Sequence, residues 1–333
     1  MVPTQHLIQL ANNESALGPS PRAVAAAASA LVGGRYPDPQ ARLLRAALAR
    51  HHDRSPEEVC ATAGASEAIQ LLVRAFPGEV VVPAGSFPLY AAAAVRAGLR
   101  VRTAPRDASA RVDLDALRRA ITPDTRLVFL ACPDNPTGTT PAGLRRWLTT
   151  LPAHVIPVVD QAYAELDDAP DLTGAHPQLV TLRSFSKAYG LAGLRVGCAI
   201  GPTPCITALD AVRDPFNVSA PAEAAAIAAL HDRAWLVQVR QATARGRASL
   251  AAELGQRGLH VLPGAANFVY LPRARGLADL LVHHGVQVRR LDAWGHPDAV
   301  RVTVGLPHEH AALLRAVDAG AAIRPVHDAC TTC

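Results

Sequence analysis

Lys187 is the only lysine in a chain of 333 residues whose lysines and arginines together number 33. Everywhere else that a long basic side chain stands, the chain uses arginine. A guanidinium stays protonated, whereas an amine can lose its proton near neutral pH and attack a carbonyl carbon. The simplest reason to keep one amine is a Schiff base. Residues 182–197, LRSFSKAYGLAGLRVG, place Ser184 and Ser186 just before it and Arg195 eight residues after it. Two hydroxyls and a guanidinium, the latter suited to bidentate phosphate contact, fit an aldehyde cofactor that carries a phosphate. Pyridoxal 5'-phosphate (PLP) has both groups. A lone surface lysine spared by a drift toward arginine would look the same in isolation, so the rest of the chain has to decide.

Four more stretches bear on that chemistry. Gly64-Ala65-Ser66-Glu67 follows an apolar run and opens a helical one, and free N–H groups with a serine at a helix start make an anion site; an ordinary helix cap reads alike. Phe87, in GSFPLY after EVVVP, could stack on a flat heteroaromatic ring or simply fill a core. Asn135, in CPDNPTG, precedes Pro136 and is held extended, with its amide free to bond a phenolic oxygen or a carboxylate. Asp160 ends VIPVVD. A carboxylate at the end of a buried strand is costly unless paired, and a protonated pyridine nitrogen would pair it and make the ring an electron sink. Tyr163, three residues on, can bond the ring's phenolic oxygen.

The elements that must position these residues follow from the pattern. Seven apolar runs, 59–62, 79–83, 100–104, 127–132, 155–160, 179–183 and 195–200, read as strands. Helical segments at 66–76, 89–98, 114–121 and 141–151 lie between several of them. That alternation predicts an α/β domain with a mainly parallel sheet flanked by helices. Ligands of such sheets collect at the strands' carboxyl ends, which is where the candidate residues fall. A loop from residue 10 leads into a helix from Ser20-Pro21, and another helix is expected near 40–52. One long helical stretch, 220–258, leads to a smaller α+β domain with strands at 259–262, 267–271, 286–289 and 300–304 and helices at 276–284 and 307–319. The expected division is an N-terminal arm over 1–32, a large domain over 33–240, a small domain over 241–325 and a tail over 326–333.

Composition sets the outer limits. Half the residues are apolar, enough for a sizeable core, and net charge is +5. The arginines are scattered, without the clustered stripe of a nucleic-acid footprint. The start lacks the charged and apolar regions of a signal peptide, and no apolar stretch is long enough to span a membrane, so cytoplasm is the expected compartment. Cys330 and Cys333 form a CTTC tail read as untethered. The histidine pairs lack zinc spacing, so no metal is expected.

In order, NESALGPSP, RYPDPQ, GASEA, GSFPLY, CPDNPTG, VVDQAY, SFSKAYGLAGLRVG, ANFVYL and VRVTVG resemble the class I/II PLP-dependent aminotransferases of fold type I. The likeness is greatest to the histidinol-phosphate aminotransferase branch, which includes related aromatic amino-acid aminotransferases, and it extends to about residue 320. The resemblance implies that Lys187 forms the Schiff base and then carries a proton between Cα and the cofactor's C4'. Asp160 would bind the pyridine nitrogen, Tyr163 and Asn135 the phenolic oxygen, and Phe87 the ring face. Ala65, Ser66, Ser184, Ser186 and Arg195 would hold the phosphate, joined by Tyr36 from a partner subunit. Arg301 would bind the substrate's carboxylate or its equivalent, with Asn135 beside it, and Arg289 a phosphate at the far end. The resemblance also implies a homodimer with shared sites, which moves an amino group from L-histidinol phosphate to 2-oxoglutarate by a ping-pong cycle. The alternatives it leaves are an aromatic or specialised-metabolism aminotransferase, a decarboxylase of the threonine-phosphate type, and a non-catalytic PLP-binding protein. Gln161 stands where the family usually has glutamate. Ser15 and Ala16 stand where asparagine and proline are usual, in the loop that covers the substrate.

Overall fold

The structure, a computed structural model, describes residues 7–31, 34–167, 172 and 174–323. Asp168, the junction at 32–33 and the tail with Cys330 and Cys333 lie outside the described residues. Eleven strands occur among those described: β1 Ile8–Leu10, β2 Val59–Thr62, β3 Glu79–Pro83, β4 Val101–Ala104, β5 Thr125–Ala131, β6 Ile156–Asp160, β7 Val180–Ser184, β8 Gly197–Ile200, β9 Phe268–Leu271, β10 Val286–Arg290 and β11 Val300–Thr303. Seven make one sheet in the order β2-β8-β7-β6-β5-β3-β4, and four make a second in the order β1-β10-β11-β9. In the large sheet only β8 runs against its neighbours β2 and β7. The chain is thus mixed α/β with a mainly parallel seven-stranded sheet, as expected.

β3 and β6 are buried along their whole length, because helices cover both faces, and their sequences are accordingly apolar apart from one carboxylate at an end of each, Glu79 and Asp160. Alternation along each strand sorts side chains between the faces. Val80, Val82, Phe129, Val158, Val180 and Leu182 pack with helices Ala65–Ala75, Leu89–Arg96 and Thr203–Val212 on one face. Val81, Val128, Leu130 and Val159 pack with Leu114–Ala120 and Leu144–Thr149 on the other. The same parity places Asp160, two residues after Val158, and Ser184, two after Leu182, on the face of helix Ala65–Ala75. Cys60, Cys132, Cys198 and Cys205 are buried free thiols.

The second sheet rests one face on helices Arg233–Gln256, Leu277–His283 and Pro307–Ile323 through Val269, Leu271, Val286, Val288, Val300 and Val302. The intervening residues Phe268, Tyr270, Arg289 and Arg301 therefore face the other way. Three local expectations change. The strand expected at 259–262 is only a bridge from Leu262 to Tyr270, since Pro263 follows at once and removes a donor. The helix expected across 220–258 is two, Ala220–His231 and Arg233–Gln256, broken at Asp232, whose carboxylate caps the second by accepting from Trp235 N. A short strand that the sequence did not suggest, β1, precedes the expected loop and ends at its first residue, Leu10; it runs parallel to β10 with Ile8 beside Val286. Helix Arg233–Gln256 also passes position 240 without a break. No described helix is long and apolar enough to cross a membrane.

Candidate active site

The carboxyl ends of β6 and β7 and the inward face of the second sheet enclose a cavity of about 370 Å³. Ala65, Ser66, Phe87, Asn135, Asp160, Tyr163, Ser184, Ser186, Lys187, Arg195, Arg289 and Arg301 all line it. These positions come from seven separated stretches of sequence. Tyr36 is the exception: it is 83% exposed and stacks on Phe216 at 4.8 Å.

Lys187 follows β7 and is held by the carbonyl oxygens of Asn12 and Asn13, each 3.0 Å from its Nζ. Burial, helped by the nearby Arg301 guanidinium, pulls its pKa down to about 8. Asp160 lies across the cavity, accepting from Tyr90 Oη at 2.8 Å and from Ala162 N at 3.0 Å. Burial raises its pKa, and the Tyr90 bond opposes that rise. Burial likewise raises the pKa of Tyr163, whose hydroxyl accepts from Asn13 Nδ2 at 2.9 Å.

At one end, helix Ala65–Ala75 starts without a side-chain cap, leaving first-turn N–H groups open to an anion. Arg195 Nη1 donates to Ser186 Oγ at 3.2 Å, and Ser184 Oγ accepts from Ser186 N at 3.2 Å. Arg195 adopts a left-handed φ of 53°, strain of the sort found at binding sites. Gly64, at φ +80°, makes room for it: a Cβ there would stand 2.6 Å from Arg195 Nη2. An uncapped helix start, two hydroxyls and a guanidinium fit a phosphate. A buried carboxylate, an amine with a lowered pKa and the Phe87 ring fit a charged heteroaromatic aldehyde.

At the other end, Arg301 sits directly opposite Arg289 in the antiparallel register of β10 and β11. Arg301 is buried, and burial brings its pKa down to about 10, with Arg289 adding to the fall. It donates to Asn135 Oδ1 and, at 2.8 Å, to the Ala11 carbonyl oxygen, while its buried Nε has no partner. Arg289 donates to Ala11 O at 3.3 Å and to Asn12 Oδ1 at 2.7 Å.

A model of the class I and II aminotransferases matches residues 5–319. The chain belongs to the class I and II aminotransferases. This aminotransferase is 42% identical to a histidinol-phosphate aminotransferase of Anaeromyxobacter sp. (strain Fw109-5), with 94% of this chain and 90% of that one aligned. It is 38% identical to another from Roseiflexus castenholzii, over 94% and 89%. It also superposes on the crystal structure of the Sinorhizobium meliloti histidinol-phosphate aminotransferase in complex with pyridoxal-5'-phosphate, with a TM-score of 0.88 at 31% identity, covering 94% and 91%.

Several lining residues were not singled out from the sequence of this aminotransferase. Asn12, Asn13 and Glu14 border the cavity, as do Trp294, Ala131, Ala162 and Ala192. Asn13 is buried at φ 56°, with its N bonded to Thr303 Oγ1 at 2.9 Å. Asn267 Nδ2 donates to the carbonyls of Asn13 and Glu14 at 3.0 and 3.1 Å. NESALGPSP and ANFVYL contain Asn13 and Asn267, but nothing local says that they meet. Tyr90 is fully buried beneath Asp160, and in the sequence it is not distinguished from a core aromatic.

Proposed function

We infer that this PLP-dependent aminotransferase takes the amino group of L-histidinol phosphate, or a close phosphate-bearing relative, and passes it to 2-oxoglutarate in a ping-pong cycle. The observation that carries the donor is the pair Arg289 and Arg301, opposite one another on neighbouring strands and lining the cavity of Lys187. Like charges placed so are destabilising in themselves, and a dianionic phosphate compensates both. A dicarboxylate acceptor can use the same two cations in the second half of the cycle.

Pyridoxal 5'-phosphate, when bound, supplies an electrophilic carbonyl and an electron-withdrawing ring that acidifies the donor's Cα–H. Lys187 Nζ, with its pKa down at about 8, is available as a neutral amine to join the cofactor and later to move the Cα proton. Asp160 holds the proton on the ring nitrogen, with Tyr90 fixing its carboxylate. Tyr163 and Asn135 hold the phenolic oxygen, and Phe87 covers the ring. Ala65, Ser66, Ser184, Ser186 and Arg195 bind the cofactor phosphate. We assign Tyr36, exposed in its own chain, to the cofactor phosphate of a partner subunit, which makes the working unit a homodimer.

The test is a half-reaction. Holoenzyme receives L-histidinol phosphate, L-phenylalanine or L-tyrosine, each without keto acid, and loss of the yellow cofactor band is followed. Bleaching at low L-histidinol phosphate concentration is expected. Bleaching by the aromatic amino acids alone would transfer the assignment to an aromatic aminotransferase.

A further inference from the structure

One wall of the cavity is left unused by the chemistry above. Trp294 lines it from the short turn Asp292–Trp294, between the strands that carry Arg289 and Arg301. Its ring centroid lies 6.1 Å from that of Phe87 and 5.4 Å from the Arg301 guanidinium carbon. It therefore stands between the residue placed over the cofactor ring and the cations placed for the donor's anion.

That position is held from behind. His296, two residues on, is buried, with Nδ1 2.9 Å from Tyr270 Oη and Nε2 2.8 Å from the Gly85 carbonyl oxygen. A carbonyl can only accept, so Nε2 carries a proton and donates to it. Nδ1 is then free to accept from the tyrosine hydroxyl. Gly85, at φ +64°, permits the approach: a Cβ there would lie 2.4 Å from His296 Nε2 and 2.9 Å from the Trp294 carbonyl oxygen. The turn bearing Trp294 is thereby fastened to the loop bearing Phe87, and the second sheet to the first.

We propose that Trp294 selects amino donors with a flat ring, packing its indole against that ring while Arg289 and Arg301 hold the anionic group, and that His296 is its positioning residue. This rests on the donor class inferred above. An aromatic pair adds roughly three- to tenfold in affinity beyond the area it buries, enough to separate a ringed donor from a ringless one.

The test measures bleaching rates of the holoenzyme with donors in matched pairs: L-histidinol phosphate against 2-aminopropyl phosphate, and L-phenylalanine against L-alanine. Each pair shares its anion and differs in the ring. Trp294→Leu should lower the ringed-to-ringless rate ratio roughly tenfold, and Trp294→Phe should keep most of it. His296→Ala should lower the same ratio, and His296→Gln, which can still donate to the Gly85 carbonyl, should restore it. A ratio within about twofold of the unmodified enzyme in Trp294→Leu, with the cofactor band intact, overturns the proposal. Should that variant fail to hold cofactor, the two His296 variants read the same ratio, and no change in it is equally fatal. If the unmodified enzyme ignores both phosphorylated donors, the inferred donor falls, while the phenylalanine–alanine ratio still judges Trp294.

Discussion

At the ends of β6 and β7 the groups proposed to face the cofactor, Asp160, Ser184, Ser186 and Lys187, come from two adjacent strands and the turns that follow them. On the opposite wall, Arg289, Arg301, Trp294 and residues 12–14 come from two antiparallel strands, their connecting turn and an N-terminal segment nearly 300 positions away in the chain. The first wall is backed by a sheet buried on both faces, the second by a smaller sheet whose edge is β1. The difference separates two tasks. The proposed roles put bond chemistry where the backbone is most constrained, and recognition where short elements meet and can be altered one at a time.

Substitutions on the two walls should accordingly fail in different ways. Lys187→Arg, on the chemical wall, should lower kcat by roughly 10³-fold or more for every donor alike, because a guanidinium can neither join the carbonyl nor shuttle the proton. Near-normal turnover would dismantle the division. Arg289→Ala, on the recognition wall, should cost roughly 10- to 100-fold in kcat/KM for phosphorylated donors. For L-phenylalanine the expected loss is only about threefold or less, because its side chain needs no second cation. Equal losses for both would remove Arg289 from the phosphate role.

The pH dependence sharpens the comparison on the chemical side. Lys187, with its pKa lowered to about 8, is protonated below that value and neutral above it. Cofactor uptake by the apoenzyme should therefore quicken by roughly tenfold between pH 7 and 9 and then level off. A rate still climbing toward pH 10 would show an amine with its ordinary pKa. The smallest effect expected is for Asn13→Ala. It removes the side-chain bonds to Tyr163 and Thr303 and should lower kcat/KM by roughly fivefold. A loss of a hundredfold would mean that side chains hold the segment in place.

The chemical wall was far more legible in the sequence than the recognition wall, and the reason is local. β2 and β3 fall at the expected residues because a strand buried along its whole length is apolar over most of it, with polar Thr62 and Glu79 only at the ends. Lys187, Asp160 and Asn135 each end or follow such a run. β1 was missed because three residues carry no period of their own, and their partner β10 lies at the far end of the chain. Trp294 and Tyr90 look like ordinary core aromatics until the fold places one beside Arg301 and the other beneath Asp160. Tyr36 was suggested only through the family resemblance, and in its own chain it is exposed and does not line the cavity of Lys187.

The segment over the cavity is held in an unusual manner. The carbonyl oxygens of Ala11, Asn13 and Glu14 accept side-chain bonds that do not depend on the Lys187 amine, Ala11 from Arg301 and Arg289, Asn13 and Glu14 from Asn267. A clamp that grips the main chain is indifferent to most of the side chains it carries. Mutation at 12 can then reshape the mouth of the cavity, releasing Arg289 from the Asn12 side chain while the segment stays in place, so the donor repertoire can change without moving the main chain above the catalyst.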